Sequence, residues 1–343
     1  MNDSENFAQA ETFDAQEKER QLKAESESWN TNEVIDAQPG DIPVIDLSQY
    51  FQSLDNAALQ PIAKQLREAC EEVGFFSIIG HQVETSQIKD TFNAIRAFHQ
   101  LPLDKKIAIK MDRPDWPVSG AGYLPVKNRK LPARDTGNIN EAFIVKHNDS
   151  VSLADNQWPD EKDAPGFRTI VESYATTMEK LGKKMLPIYA CALELPEDYF
   201  DQAFEKPLYR LRMTHYPSAP STEEFGIAPH VDTSFCTILA QDQPGLTIFS
   251  ERKKCWIRVP AVENAFVVNT GELLKQWTND RFISVKHFAN NNTSNDSRYS
   301  IPFFFNTNQH YKMSCIPGCF SEENPARYPP ISYAESQAVV QGE

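Results

Sequence analysis

From residue 207 onward the chain consists of short apolar runs separated by turn residues, and this pattern limits the possible folds more than any other feature. Tyr209, Leu211 and Met213 alternate with Arg210, Arg212 and Thr214, the two-residue period of a strand buried on one face. Further apolar runs recur at 235–240, 246–249, 256–259, 265–268, 282–285 and 299–305. Each is too short for a stable helix, and turn-forming residues lie between them. Such regular spacing predicts an antiparallel all-β barrel or jelly roll.

The preceding half reads differently. Residues 1–40 are rich in Glu, Gln, Asp and Asn with few branched aliphatics, which predicts a mobile acidic arm. A short strand is expected at 42–47. Leu59, Ile62, Leu66 and Cys70 then recur at three- and four-residue steps, the stripe of an amphipathic helix. Gly74 closes it before a buried strand at 75–79. A second helix carries Ile88, Phe92, Ile95 and Phe98 and stops at Leu101-Pro102. Residues 111–165 read mostly as loop with a strand at 142–145, and a long helix is expected over 166–194. The predicted organisation is therefore an arm (1–40), a helix-rich region (41–206), a β core (207–320) and a C-terminal segment (321–343).

The formal charge of −14 disfavours nucleic acid and anionic membranes, whose sequence-independent binding needs clustered Lys and Arg. No apolar run approaches the ~20 residues of a membrane span. The polar, acidic start is unlike a signal peptide. Six scattered cysteines without a C-x-x-C pair read as buried thiols. The expectation is a cytoplasmic protein, a monomer or weak homodimer, acting on a small molecule.

Chemistry concentrates in a few polar residues. In His230-Val231-Asp232 an imidazole and a carboxylate stand two apart, which on a strand places both on one face. Alone this pair is weak. His287 follows 55 positions after Asp232 in another strand-like run, 282–288. Two histidines and one carboxylate can hold an iron(II) ion from one side and leave positions open for O2 and an organic chelator. Arg298 and Ser300 again share an i, i+2 face, and a guanidinium beside a hydroxyl suits a carboxylate. Tyr216 could add a phenolic donor.

Taken in order, Ile42-Pro-Val-Ile-Asp-Leu47, Gly74-Phe-Phe-Ser-Ile-Ile-Gly-His81, Arg212-Met-Thr-His-Tyr-Pro217, His230-Val-Asp-Thr233, Pro244-Gly-Leu246, Asn269-Thr-Gly-Glu-Leu273, His287 and Arg298-Tyr-Ser300 form a specific series. In this series the chain resembles the isopenicillin N synthase-like branch of the iron(II)/2-oxoglutarate-dependent dioxygenases, over about residues 42–310. The resemblance implies a mainly β fold with flanking helices around a double-stranded β-helix, the cupin-like jelly roll. It implies His230, Asp232 and His287 as iron ligands. Arg298, Ser300 and Tyr216 would bind the distal carboxylate of 2-oxoglutarate. It further implies oxidative decarboxylation of 2-oxoglutarate with O2, coupled to hydroxylation, desaturation or cyclisation of a small organic substrate, of the kind met in secondary metabolism. Thr214 stands where the family often has Asn near the co-substrate, and His215 stands for a Tyr. By the same resemblance Tyr123, Phe143, Phe303 and Phe305 are candidates to line the substrate pocket. Three other readings stay open: a 2-oxoglutarate-independent iron oxidase of the same fold, a metal-free jelly-roll binding protein, and a zinc hydrolase on the same ligands.

Overall fold

Most of the described strands form two sheets packed face to face. The computed structural model describes residues 34–53, 56–111, 118–127, 138–219 and 225–336. In chain order the elements are β1 (Val34–Asp36), β2 (Val44–Asp46), α1 (Ser48–Ser53), α2 (Asn56–Glu72), β3 (Phe75–Ile79), α3 (Thr85–His99), α4 (Leu103–Ala108), β4 (Gly122–Leu124) and β5 (Glu141–His147). The long helix α5 (Phe167–Ala192) leads into β6 (Leu208–Tyr216), β7 (Ile227–His230), β8 (Cys236–Gln241), β9 (Leu246–Ser250), β10 (Cys255–Arg258) and β11 (Phe266–Thr270). Then come α6 (Glu272–Trp277), β12 (His287–Ala289), β13 (Arg298–Asn306), β14 (Lys312–Met313) and β15 (Ile331–Ser332).

An eight-stranded sheet runs β2-β3-β11-β8-β13-β6-β5-β4, and a five-stranded sheet runs β1-β10-β9-β12-β7. Their facing sides share an apolar cluster: Leu239, Val267 and Phe75 from the large sheet meet Leu246, Ile248 and Ile257 from the small one. The outer side of the large sheet is covered by α2, α3 and α5, whose apolar stripes join the main core with Leu211, Met213, Phe303 and Phe305. This is the jelly roll with flanking helices. Among the described residues no helix is long and apolar enough to cross a membrane.

Three expectations change. Residues 34–36, assigned to the acidic arm, form β1 and pair in parallel with β10; residues 1–33 lie outside the described residues. Strands β1 to β5 all precede residue 207 yet are built into the two sheets, so the helix-rich region also completes the β core. The run 282–285 is not a strand. Its backbone is claimed elsewhere: Ile283 N–H donates to Cys70 O at 2.9 Å and Phe282 N–H to Thr278 Oγ1 at 3.1 Å. This docks the segment on the end of α2, against Gly74. Gly74 has φ +74°, and a Cβ there would fall 2.8 Å from Ile283 O, so only glycine fits the turn from α2 into β3.

Candidate metal centre and co-substrate pocket

His230 is the last residue of β7 and His287 the first of β12, and antiparallel pairing sets them directly opposite each other. Their rings lie 4.3 Å apart between centroids. Asp232 lies just past the end of β7, so it is brought in by the turn and not by strand alternation as expected. Its backbone oxygen accepts from Glu272 N–H at 2.7 Å, which ties the turn to the start of α6. Asp232 Oδ1 then stands 3.7 Å from Nε2 of His230 and 3.7 Å from Nε2 of His287.

The remaining polar atoms of the three side chains are occupied. His230 Nδ1 contacts Ala228 O at 2.8 Å and His287 Nδ1 contacts Val285 O at 3.1 Å. A carbonyl can only accept, so each Nδ1 carries a proton and each Nε2 is the nitrogen turned toward Asp232, where a metal ligand's lone pair belongs. Asp232 Oδ2 accepts from Thr237 Oγ1 at 2.7 Å and from Asn269 Nδ2 at 2.9 Å, leaving Oδ1 free. Burial holds the His230 imidazole down to about 4, reinforced by His287 and opposed by Asp232. It is therefore neutral near pH 7, as a ligand must be. Burial alone would raise the Asp232 carboxyl; the two imidazoles and the Thr237 and Asn269 hydrogen bonds outweigh it and keep it low. Two imidazole nitrogens and one carboxylate oxygen thus converge on one point, a donor set that fits iron(II). His230 retains 33% side-chain exposure against 5% and 9% for Asp232 and His287, so the site opens on the His230 side.

On the large sheet, strand register groups the expected co-substrate residues. Arg298 of β13 is opposite Tyr216 of β6, and Ser300 is opposite Thr214. Alternation puts all four on the interior face, the face of Thr237. The Arg298 guanidinium stacks 4.5 Å from the Tyr216 ring centroid, and Tyr216 Oη lies 3.3 Å from Ser300 Oγ. Arg298 is aimed by two acceptors: Nε donates to Gln243 O and Nη2 to Gln241 Oε1, both at 3.1 Å. Its Nη1 and the Thr214 Oγ1 are buried without a partner. A buried unsatisfied donor costs about 1–3 kcal/mol, and two of them on one face of neighbouring strands fit an acceptor-rich ligand such as a carboxylate. Gly245 makes room: a Cβ there would fall 2.5 Å from Arg298 Nε.

Comparison with known proteins agrees. The 2OG-Fe(II) oxygenase superfamily model matches residues 207–307, and the model described as the N-terminal region of non-haem dioxygenases in morphine synthesis matches 42–161. The 2-oxoglutarate-Fe(II) type oxidoreductase hxnY of Emericella nidulans is 32% identical over 84% of this chain and 86% of its own length. This chain belongs to the 2-oxoglutarate–iron(II) oxygenase superfamily. It is an iron- and 2-oxoglutarate-dependent oxidoreductase. In fold, the oxygenase matches a full-length Neurospora crassa protein solved in complex with α-ketoglutarate and thymine, at a TM-score of 0.78 and 24% identity over 89% of this chain and 98% of that one. It also matches the rice dioxygenase for auxin oxidation at a TM-score of 0.71 and 26% identity, over 88% and 96% of the two chains.

The oxygenase's candidate substrate residues are where the structure corrects the sequence. Register places Tyr123 and Phe143 opposite each other, Phe143 opposite Met213, Phe303 opposite Leu211 and Phe305 opposite Tyr209. All four therefore lie on the outer, helix-covered face, opposite to Arg298 and Thr214. Phe143 packs on Phe98 at 4.9 Å, Phe303 on Tyr209 at 4.9 Å and Phe305 on Phe204 at 4.9 Å, all fully buried core contacts. One residue along each strand, Leu124, Ala142, Ile144 and Phe304 hold the interior positions instead.

The outer face also holds a polar cluster that the sequence did not reveal. His99, Glu141 and His215 have their ligand-type atoms within 4.8 Å of one another. Glu141 Oε1 accepts from His215 Nδ1 at 2.7 Å and faces His99 Nδ1 at 3.4 Å. Oε2 accepts from Lys106 Nζ at 2.8 Å and from the Tyr123 hydroxyl. Burial would raise this carboxyl; His215, His99 and Lys106 together hold it far below the usual range. A carboxylate already neutralised by an ammonium, with its oxygens so occupied, is poorly suited to a second ion. The cluster instead braces the back of β6: His215 stacks on Tyr299 at 4.8 Å and its Nε2 meets Ser297 Oγ at 2.9 Å, next to Arg298.

Proposed function

We propose that His230, Asp232 and His287 are the iron ligands of this oxygenase, and that Arg298, Ser300, Tyr216 and Thr214 hold 2-oxoglutarate beside them. The observation that carries this reading is the pair of 3.7 Å approaches of Asp232 Oδ1 to the two Nε2 atoms, with every other polar atom of the three side chains hydrogen-bonded.

The bound iron supplies activation of O2, coupled to decarboxylation of the keto acid and oxidation of a substrate C–H bond. The protein's part is orientation and exclusion of water. Ala228 O and Val285 O fix both imidazoles in the tautomer that presents Nε2. Thr237 and Asn269 hold the Asp232 carboxylate so that one oxygen faces inward. Gln241 and Gln243 O fix the Arg298 fork, and the Tyr216 ring covers its flat face. Thr214 places a hydroxyl, shorter than an amide, where the co-substrate would lie. Below the ligands, Leu239, Ile248, Val267 and Phe75 keep that end of the interior dry.

The substrate is read as a small organic molecule, met by interior positions such as Ile144 and Phe304. A cytoplasmic monomer or weak homodimer, without nucleic acid or membrane as partner, agrees with six free thiols and the acidic charge. Residues 207–320 are read as the catalytic core, completed by the strands that precede them. The test is iron- and 2-oxoglutarate-dependent succinate release. His287→Ala should abolish it with iron binding lost, and Arg298→Met should raise the 2-oxoglutarate KM by about tenfold or more with iron retained. Undiminished succinate release from either variant would refute the assignment.

A further inference from the structure

Arg298 is the first residue of β13 and follows a loop whose residues 293–296 are exposed. In the strand register it pairs with β6 alone, since β8 joins only from Ser300 onward. The start of a strand held on one side is prone to fray, so what grips the two flanking residues decides where the guanidinium sits. Both meet one side chain, His215, on the outer face of β6. Ser297 Oγ lies 2.9 Å from His215 Nε2, and the Tyr299 ring stacks on the imidazole at 4.8 Å with 14° between the planes. His215 is itself fixed from behind. Its Nδ1 donates to Glu141 Oε1 at 2.7 Å, and the other oxygen of Glu141 is held by Lys106 and Tyr123. In the neutral ring this leaves Nε2 to accept from the Ser297 hydroxyl. The grip on Ser297 reaches Arg298 by a second route besides the backbone: Gln243 Nε2 donates to Ser297 O at 3.3 Å, and Gln243 O accepts from Arg298 Nε at 3.1 Å.

Resting on the reading of Arg298 as the co-substrate receptor, we propose that His215 is a positioning residue for that arginine: by holding Ser297 and Tyr299 it fixes the start of β13 and so sets the affinity for 2-oxoglutarate. His215 never touches the co-substrate, because its side chain is on the face opposite to Arg298 and Ser300. The two ring nitrogens divide the work. Nδ1 ties the ring to the buried Glu141 cluster, a contact that belongs to stability. Nε2 carries that rigidity across to Ser297, a contact that belongs to the clamp.

The experiment separates the two nitrogens. Asparagine puts its amide where Nδ1 stands and keeps a donor for Glu141; glutamine reaches to where Nε2 stands and keeps a partner for Ser297. His215→Asn, His215→Gln, Ser297→Ala and the His215→Asn/Ser297→Ala double variant are loaded anaerobically with iron(II) and titrated with 2-oxoglutarate, following the visible charge-transfer band of the chelated keto acid. Wild type and Arg298→Met are the references, and thermal melts are recorded in parallel. His215→Asn and Ser297→Ala should weaken 2-oxoglutarate by about threefold to tenfold, the effect of one hydrogen bond, with iron binding retained. The double variant should be no weaker than His215→Asn, since both changes remove the same contact. His215→Gln should recover affinity to within about twofold of wild type, yet melt below His215→Asn because it has lost the Glu141 partner. A role in stability alone would order the two measurements alike, with the less stable variant binding worse. Ser297→Ala leaves the buried cluster intact and decides the matter by itself if the His215 variants do not fold. The proposal is overturned if His215→Asn or Ser297→Ala binds within about twofold of wild type, if His215→Gln shows no recovery, or if the double variant is weaker than His215→Asn. Any of these leaves the metal and Arg298 assignments standing. Wild-type 2-oxoglutarate affinity in Arg298→Met refutes the underlying reading, and the His215 proposal with it.

Discussion

Glu141→Gln should destabilise the folded protein by about 3–5 kcal/mol, the usual effect of breaking a buried ion pair from one side. The structure shows why the upper range applies. Glu141 and Lys106 side chains are only 7% and 9% exposed, and their contact is 2.8 Å. His215, Lys106 and Tyr123 all point donors at one carboxylate, with His99 Nδ1 3.4 Å away. A glutamine keeps the shape but offers one acceptor oxygen, and its NH2 confronts other donors. The Lys106 ammonium is then left buried beside a neutral group. The sign of the pH effect follows from the depressed carboxyl. In the folded chain it titrates below its ordinary range; in the unfolded chain it titrates near ~4.3. Between those values the unfolded state binds more protons, so stability rises with pH there. The contribution is complete above about pH 5 and is lost as pH falls through that window toward the folded value. Urea unfolding followed by circular dichroism at pH 7 and pH 4 measures both effects. The variant should be weaker at pH 7 and show a flatter loss below pH 5. Lys106→Met in the same chain should recover much of the deficit. A loss under about 1 kcal/mol at pH 7, far short of a buried pair, or an unchanged acid slope, would refute the buried-pair argument.

Gly245→Ala should leave stability near wild type yet raise the 2-oxoglutarate KM by about tenfold or more, since the Arg298 fork must shift to admit the new methyl; an unchanged KM would show that Arg298 is not the receptor. Replacing the two donors to Asp232 Oδ2, as in Thr237→Val with Asn269→Leu, should weaken iron binding by about 10–100-fold, read by competition with a chelator; wild-type affinity would remove them from the metal's support. Phe303→Ala should cost about 3–5 kcal/mol of stability, being a buried core ring, whereas Phe304→Ala should alter substrate selectivity with a smaller stability loss. The opposite pattern in thermal melts and product profiles would reverse the strand parity argued for β13.

The sequence was informative where chemistry leaves a local trace. That His230, Asp232 and His287 would come together, and that Arg298 and Ser300 would share a face, was legible because few residues of those types stand in strand-like runs and i, i+2 pairs share a side. The β6 alternation and the stripes of α2, α3 and α5 were legible because burial on one face imposes a period. The substrate wall was not. Tyr123, Phe143, Phe303 and Phe305 look like pocket aromatics, but in a sheet buried on both faces apolar residues occupy both parities. Only the register with β6 shows which face is which. The run 282–285 looked like a strand because it is apolar, yet its partner is the end of α2, a contact more than two hundred residues away in sequence. The Glu141 cluster was invisible for the same reason: its members come from α3, α4, β4, β5 and β6 and meet only in three dimensions.

The most direct test of the central claim is an anaerobic titration of purified apoprotein with iron(II) and then 2-oxoglutarate, monitored by visible absorption in wild type, Asp232→Ala and Arg298→Met. The account predicts one iron per chain and a charge-transfer band only when both iron and keto acid are present. It predicts no band in Asp232→Ala, and a band in Arg298→Met that needs much higher 2-oxoglutarate. A band of wild-type strength and affinity in both variants, or none in wild type with iron bound, would contradict it.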